Sequence, residues 1–239
     1  MESASLRASK AAVFAALVLA STMVVNVYVP ATKGYFNLGE TMIYLAALFT
    51  DPFTAAFAGG VGSALADVIL GYSIYAPATL VIKALEGGVA AFLVRRLRRG
   101  RGELYLLSLA TTAAYFVIVL AVGYTIFSGN VELTLSGYVT LKGFLTPALW
   151  IFIAALAVST PIYLLVRSRE EVGSMILSLL LAGGIMILGY FLYEQLILGY
   201  YALAEVPVNF GQVVLGIALA IPVYAVLKGS RGKTASHRV

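Results

Sequence analysis

Residues 34–87 read GYFNLGETMIYLAALFTDPFTAAFAGGVGSALADVILGYSIYAPATLVIKALEG. Most of this stretch is apolar enough to sit in a bilayer, yet it carries Asn37, Glu40, Asp67, Lys83 and Glu86. An ionisable group inside a membrane segment costs at least a few kcal/mol, so each marks a functional-site hypothesis. Gly59, Gly60, Gly62 and Gly71 lie among small residues, which let helix backbones approach closely. The stretch is read as one wall of a polar pocket opening on one side of a membrane.

The whole 239-residue chain is 61% hydrophobic and 11% charged, with a mean hydropathy of +0.96. A soluble domain is nearer a quarter charged, so the composition predicts an all-α integral membrane protein with several spans. There is no cysteine, hence no disulfide framework, thiol nucleophile or thiolate metal site. The single histidine, His237, lies in a basic tail.

Residues 11–29 form the first apolar run, behind Arg7 and Lys10. A basic start and an apolar core also mark a signal peptide. This run is long for a signal core and no cleavage site precedes Tyr28, so it is read as a retained helix. Residues 30–36 are expected to be a loop. Residues 37–50 are too short for an upright span of about 20 residues and are read as a short or partly embedded helix. Asp51-Pro52 breaks it, since proline disfavours helical geometry in the residue before it. Spans follow at 52–71, 77–94, 104–127, 144–166, 174–198 and 207–227. Alternation on either side of Ser136-Gly137 predicts a surface hairpin between 128 and 143. Residues 167–173 are expected to be a charged loop and 228–239 a basic tail.

These eight membrane segments sort the charges. With the N-terminus inside, thirteen of the sixteen lysines and arginines fall on one side; Lys33, Lys83 and Lys142 do not. Cytoplasmic loops carry the basic excess, which predicts both termini in the cytoplasm. The run at 95–101 is thus a topology signal touching membrane lipid, and nucleic acid is not a partner.

The same topology sets depth. Asp67 lies roughly 6 Å, Lys83 roughly 9 Å and Glu86 roughly 13 Å below the outer ends of their helices at 1.5 Å per residue. Glu40, Glu194, Asn209 and Gln212 also fall in the outer half. Thr79, Lys83 and Glu86 share one helix face, as do Tyr190 and Glu194, and Asn209 and Gln212. Tyr75 and Tyr190 are favoured as pocket residues over the interfacial belt that explains Tyr200 and Tyr201. The expected site is therefore Asn37, Glu40, Asp67, Tyr75, Thr79, Lys83, Glu86, Tyr190, Glu194, Asn209 and Gln212. Carboxylates, amides and an ammonium among flat rings suit a small, polar, ring-bearing ligand. For Lys83 and Glu86 the plain alternative is a structural ion pair.

The chain has no G-x-x-x-x-G-K-[ST], H-E-x-x-H or G-x-S-x-G. No nucleotide, metal or other cofactor site and no catalytic residues are predicted, and an enzyme acting on lipid or prenyl substrates lacks its motif. A proton-coupled secondary carrier, with Asp67, Glu86 and Glu194 as relays, is the alternative. Such carriers often carry internal repeats, which are absent here.

The segments Gly34-Tyr35-Phe36-Asn37-Leu38-Gly39-Glu40, Gly59-Gly60-Val61-Gly62-Ser63-Ala64-Leu65-Ala66-Asp67, Tyr75-Ala76-Pro77-Ala78-Thr79 and Lys83-Ala84-Leu85-Glu86-Gly87 resemble the substrate-binding (S) component of energy-coupling factor (ECF) vitamin transporters, riboflavin-type branch. So do residues 186–194 and 205–212. The resemblance covers residues 8–95 and 174–227. It implies a six-helix core that captures a B vitamin or precursor from outside: riboflavin, hydroxymethylpyrimidine/thiamine or pyridoxine class. It also implies partners, namely a transmembrane coupling subunit and two ATPases that drive release by toppling the S component. Family members commonly meet the coupling subunit through an Ala-x-x-x-Ala stripe on the first helix, for which Ala12 and Ala16 are favoured. Residues 104–166 depart from the six-helix pattern and are read as an inserted helix pair with its hairpin.

Overall fold

The computed structural model describes residues 3–29, 34–97, 129–135, 139–145, 147–199, 202 and 205–236. Six helices and four strands follow one another: α1 (Ala4–Val24), β1 (Val25–Val29), β2 (Gly34–Asn37), α2 (Gly39–Phe49), α3 (Pro52–Leu70), α4 (Ala76–Leu97), β3 (Gly129–Leu135), β4 (Val139–Leu145), α5 (Pro147–Leu198) and α6 (Val206–Ser236). Among the described residues, five helical stretches are long and apolar enough to cross a membrane: 4–24, 52–70, 76–97, 171–198 and 206–228. The predicted span at 104–127 and the tip of the hairpin lie outside the described residues.

The helix boundaries follow local chemistry. Asp51 caps α3, its carboxylate accepting from the N–H groups of Phe53 and Thr54 at 3.1 and 3.2 Å, with Pro52 in the first turn. Arg7 clamps the same carboxylate at 2.9 Å. α3 ends at Gly71, whose φ of 88° is left-handed and suits glycine.

α2 is the centre of the bundle. Its eleven residues, about 16 Å long at 1.5 Å per residue, are nearly all buried. Ile43, Tyr44, Leu45 and Ala46 pack against α1, α3, α4 and α6. Surrounded by protein, this helix needs neither the length nor the uniform apolarity of a lipid-facing span. α3 and α4 run together most closely: a Cβ on Gly59 would lie 2.7 Å from the Lys83 carbonyl oxygen, and one on Gly60 2.6 Å from that of Leu80. α1 approaches α3 in the same way, with the Ala15 carbonyl oxygen 2.6 Å from a Cβ placed on Gly62. Ala15 and Val18 are thereby buried, while Ala12, Ala16 and Ala20 stay exposed.

Four expectations need correction. The first apolar run is not helical throughout. Residues 25–29 form a strand, because the β-branched series Val24, Val25, Val27 and Val29 favours extended backbone. The loop expected at 30–36 contains most of a second strand, paired as Asn26↔Asn37 and Tyr28↔Tyr35. The charged stretch 167–173 is not a loop, because α5 runs through it; arginine and glutamate are good helix formers. Helix α6 likewise continues through most of the basic tail. The hairpin formed by β3 and β4 is present, and it joins the other two strands in one antiparallel sheet of order β2-β1-β3-β4.

Candidate functional site

The C-terminal ends of α3 and α5, the N-terminal ends of α4 and α6, the end of α1 and strand β2 surround one cavity. Its free interior is about 40 Å³, room for a few waters, so anything larger must spread the side chains that wall it. Its wall contains Asn37, Asp67, Tyr75, Thr79, Lys83, Tyr190, Glu194, Asn209 and Gln212, nine of the eleven predicted residues. Thr22, Gly34, Tyr35, Ser63 and Glu205 complete it.

Each wall residue is held by the element that carries it. Strand β2 aims Tyr35 at α3, where its hydroxyl donates to Asp67 Oδ1 at 2.6 Å. The Asn37 backbone N–H donates to Gln212 Oε1 at 2.8 Å, tying the strand to α6. Gln212 Nε2 then donates to Asn209 Oδ1 at 3.0 Å, one turn earlier. Across the cavity, Tyr190 on α5 donates to Thr79 Oγ1 on α4 at 2.9 Å. Rings supply the apolar surface: Tyr35 lies against Tyr72 at 4.5 Å between centroids, and Tyr75 meets Tyr193 edge-on at 6.0 Å. Tyr193 also donates to the Ile74 carbonyl oxygen.

The remaining two predicted residues sit behind the wall. Lys83 Nζ is bonded to Glu40 and lies 3.2 Å from Glu86 Oε2. Tyr44 donates to Glu86 Oε1 at 2.9 Å. Glu40 and Glu86 are 1% and 0% exposed. The ammonium, 5.5 Å from the Tyr190 ring centre, thus belongs at once to the wall and to a buried triad beneath it.

Four polar atoms on wall residues have no hydrogen-bond partner among the described residues: Asp67 Oδ2, Glu194 Oε2, Asn209 Nδ2 and Thr22 Oγ1. Leaving such a group buried and unmet costs about 1–3 kcal/mol, more when it is charged. Around them the tyrosines stay protonated donors. Burial, and then the neighbouring Asp67 charge, push the Tyr35 hydroxyl well above its usual range. Burial, followed by the charges of Glu194 and Glu205, does the same to Tyr75. Among the described residues, no group of three or more acidic, histidine or cysteine side chains is arranged to hold a metal ion.

Fold and site together define a multi-pass membrane protein with a small, polar-walled cavity between its helices. The profile described as "ECF-type riboflavin transporter, S component" matches residues 6–166, and the chain belongs to this family of transporter substrate-binding components. The match runs across 104–166 and ends before residues 171–236, which nonetheless supply Tyr190, Glu194, Asn209 and Gln212 to the cavity. An uncharacterised protein from a gap 3′ region of Pyrococcus woesei is 51% identical over 75 residues, 31% of this chain. The chain covers half the length of that curated relative.

Proposed function

We propose that this protein is the membrane-embedded binding subunit of an ECF-type importer, taking a B vitamin or vitamin precursor from outside the cell. The observation that carries the reading is the set of buried polar atoms, unpartnered among the described residues, on side chains that line a cavity together with Tyr35, Tyr75 and Tyr190. Groups that the protein does not satisfy itself are those a ligand can satisfy, and the rings give flat faces for a heterocycle to stack on. In this reading the cavity opens outward and both termini are cytoplasmic. Thr79, Tyr75, Tyr190, Asn209 and Gln212 orient the ligand by hydrogen bonds, while Asp67 and Glu194 receive its donors. Lys83, Glu40 and Glu86 set the floor.

Uptake itself falls to partners: a transmembrane coupling subunit and two ATPases. Ala12 and Ala16, exposed one turn apart on α1, offer them a smooth surface, whereas Ala15 is taken up by packing on α3. Residues 104–166 are read as an addition to the binding core.

The test is ligand release. Protein purified in detergent is heat-denatured and the liberated small molecules are identified by mass spectrometry, beside Glu194→Ala and Asn209→Ala. A vitamin or precursor released by the parent and lost from both variants is the expected outcome. A folded parent that releases nothing, and shows no thermal shift with any vitamin or precursor, defeats the reading.

A further inference from the structure

The charges around the cavity do not balance, and the imbalance has a sign. Among the described residues, Lys83 is the single lysine or arginine in the wall. Its ammonium is already engaged by two carboxylates, Glu40 and Glu86, so it has no surplus charge to offer an anion. Asp67 and Glu194, 3% and 2% exposed, both line the cavity, and each has one oxygen without a hydrogen-bond partner among the described residues. Asp67 interacts with the neutral hydroxyls of Tyr35 and Thr79 and feels the Lys83 charge from a distance, but among the described residues neither carboxylate has a lysine or arginine within ion-pair distance. A carboxylate taken out of water without a compensating cation costs several kcal/mol, or the acid holds its proton until a cation arrives. Something that enters the cavity with positive charge and N–H groups relieves that cost, and something anionic deepens it.

We propose that the ligand of this site is a positively charged, amino-substituted nitrogen heterocycle, with Asp67 and Glu194 receiving its charge and N–H groups and Asn209 Nδ2 donating to a ring acceptor. Phosphorylated ligands are refused. This inference rests on the small-molecule reading above and narrows it: of neutral, anionic and cationic ring compounds, the site selects the cation.

Three probes separate the possibilities: thiamine (a cation with an aminopyrimidine), riboflavin (neutral) and flavin mononucleotide (an anion). Each is titrated by calorimetry into the full chain in detergent, with Asp67→Asn and Glu194→Gln beside the parent. Both variants keep side-chain shape, and their melting temperatures report folding independently. The expected result is thiamine binding at least tenfold tighter than riboflavin, no binding of the mononucleotide, and a tenfold or greater loss of thiamine affinity in either variant. Riboflavin binding tightest, with both variants unchanged, overturns the charge inference while leaving a vitamin-binding protein. Tight binding of the mononucleotide overturns it as well. If a folded parent binds none of the three, the inference fails, and the ligand-release experiment decides the reading beneath it.

Discussion

Replacing Lys83 by methionine keeps the chain length and removes the ammonium from between Glu40 and Glu86. Those carboxylates are 1% and 0% exposed and sit where α2 meets α4. With the cation gone, two acids face each other beyond the reach of water. Removing one partner of a buried ion pair typically costs about 3–5 kcal/mol. For a chain of this size each kcal/mol moves the melting temperature by about 2–4 °C, so K83M is expected to melt about 6–20 °C lower. The assay is thermal unfolding in detergent, followed by circular dichroism. The decisive companion is the triple variant Glu40→Gln, Lys83→Met, Glu86→Gln, in which no charge remains and Tyr44 can still donate to residue 86. A buried ionic cluster exchanged for neutral groups of similar volume is often neutral in stability, so the triple variant should recover most of the loss. A K83M protein melting within about 2 °C of the parent refutes the reasoning, as does a triple variant less stable than the single.

Four further outcomes follow from the geometry. Gly60→Val places side-chain atoms against the Leu80 carbonyl and the Ala84 side chain; backbone cannot yield cheaply, so overpacking should cost about 1–3 kcal/mol, read as a lower melting temperature. Tyr190→Phe removes the bond that joins α5 to Thr79 across the cavity; at about 1 kcal/mol its loss should lower the melting temperature by about 2–4 °C, read by thermal unfolding in detergent. Partial burial pushes the Asp51 carboxyl up, but the hydrogen bonds from Arg7 and Thr54 outweigh it and hold the group well below its ordinary 3.8. A depressed carboxyl stabilises above its unfolded value and loses that stabilisation as pH falls through the folded one. Melting temperature should therefore hold from pH 7 to 5 and drop below pH 4, and Asp51→Asn should flatten part of that drop; because the Arg7 pair is half exposed, the effect is about 1 kcal/mol or less. Ala12→Trp and Ala16→Trp should abolish co-purification with the coupling subunit while leaving ligand affinity within twofold, since neither residue is near the cavity wall.

Much of the fold was legible where the signal is local. Asp51-Pro52 and Gly71 bound α3 because a capping carboxylate, a proline and a left-handed glycine act within a few residues. The extended backbone at 25–29 was not legible, because it continues an apolar run that suits a membrane helix equally well. Its partner strand β3 lies a hundred residues onward, and no local pattern announces such a pairing. The charged run at 167–173 misled for a related reason: polarity distinguishes lipid from water, not loop from helix.

In the site, sharing a helix face proved a partial guide. Thr79 and Glu86 do project from one side of α4, but seven residues separate them by about 10 Å along the axis, enough to place Thr79 in the wall and Glu86 behind it. Thr22 and Ser63 were missed because a lone hydroxyl in an apolar helix carries no sequence signal. Glu205 lay within a quoted motif but was not selected.

The buried triad has a consequence for how the protein is made. Glu40, Lys83 and Glu86 all lie within 47 consecutive residues, so their charges neutralise one another as soon as α2 and α4 have left the ribosome. Asn209 emerges 126 residues after Lys83, on the order of ten seconds later at about 5–20 residues per second. Through that interval the nascent first half can rest in the bilayer with its deepest charges matched, and it meets the last two helices as a finished seat rather than as a set of exposed ions.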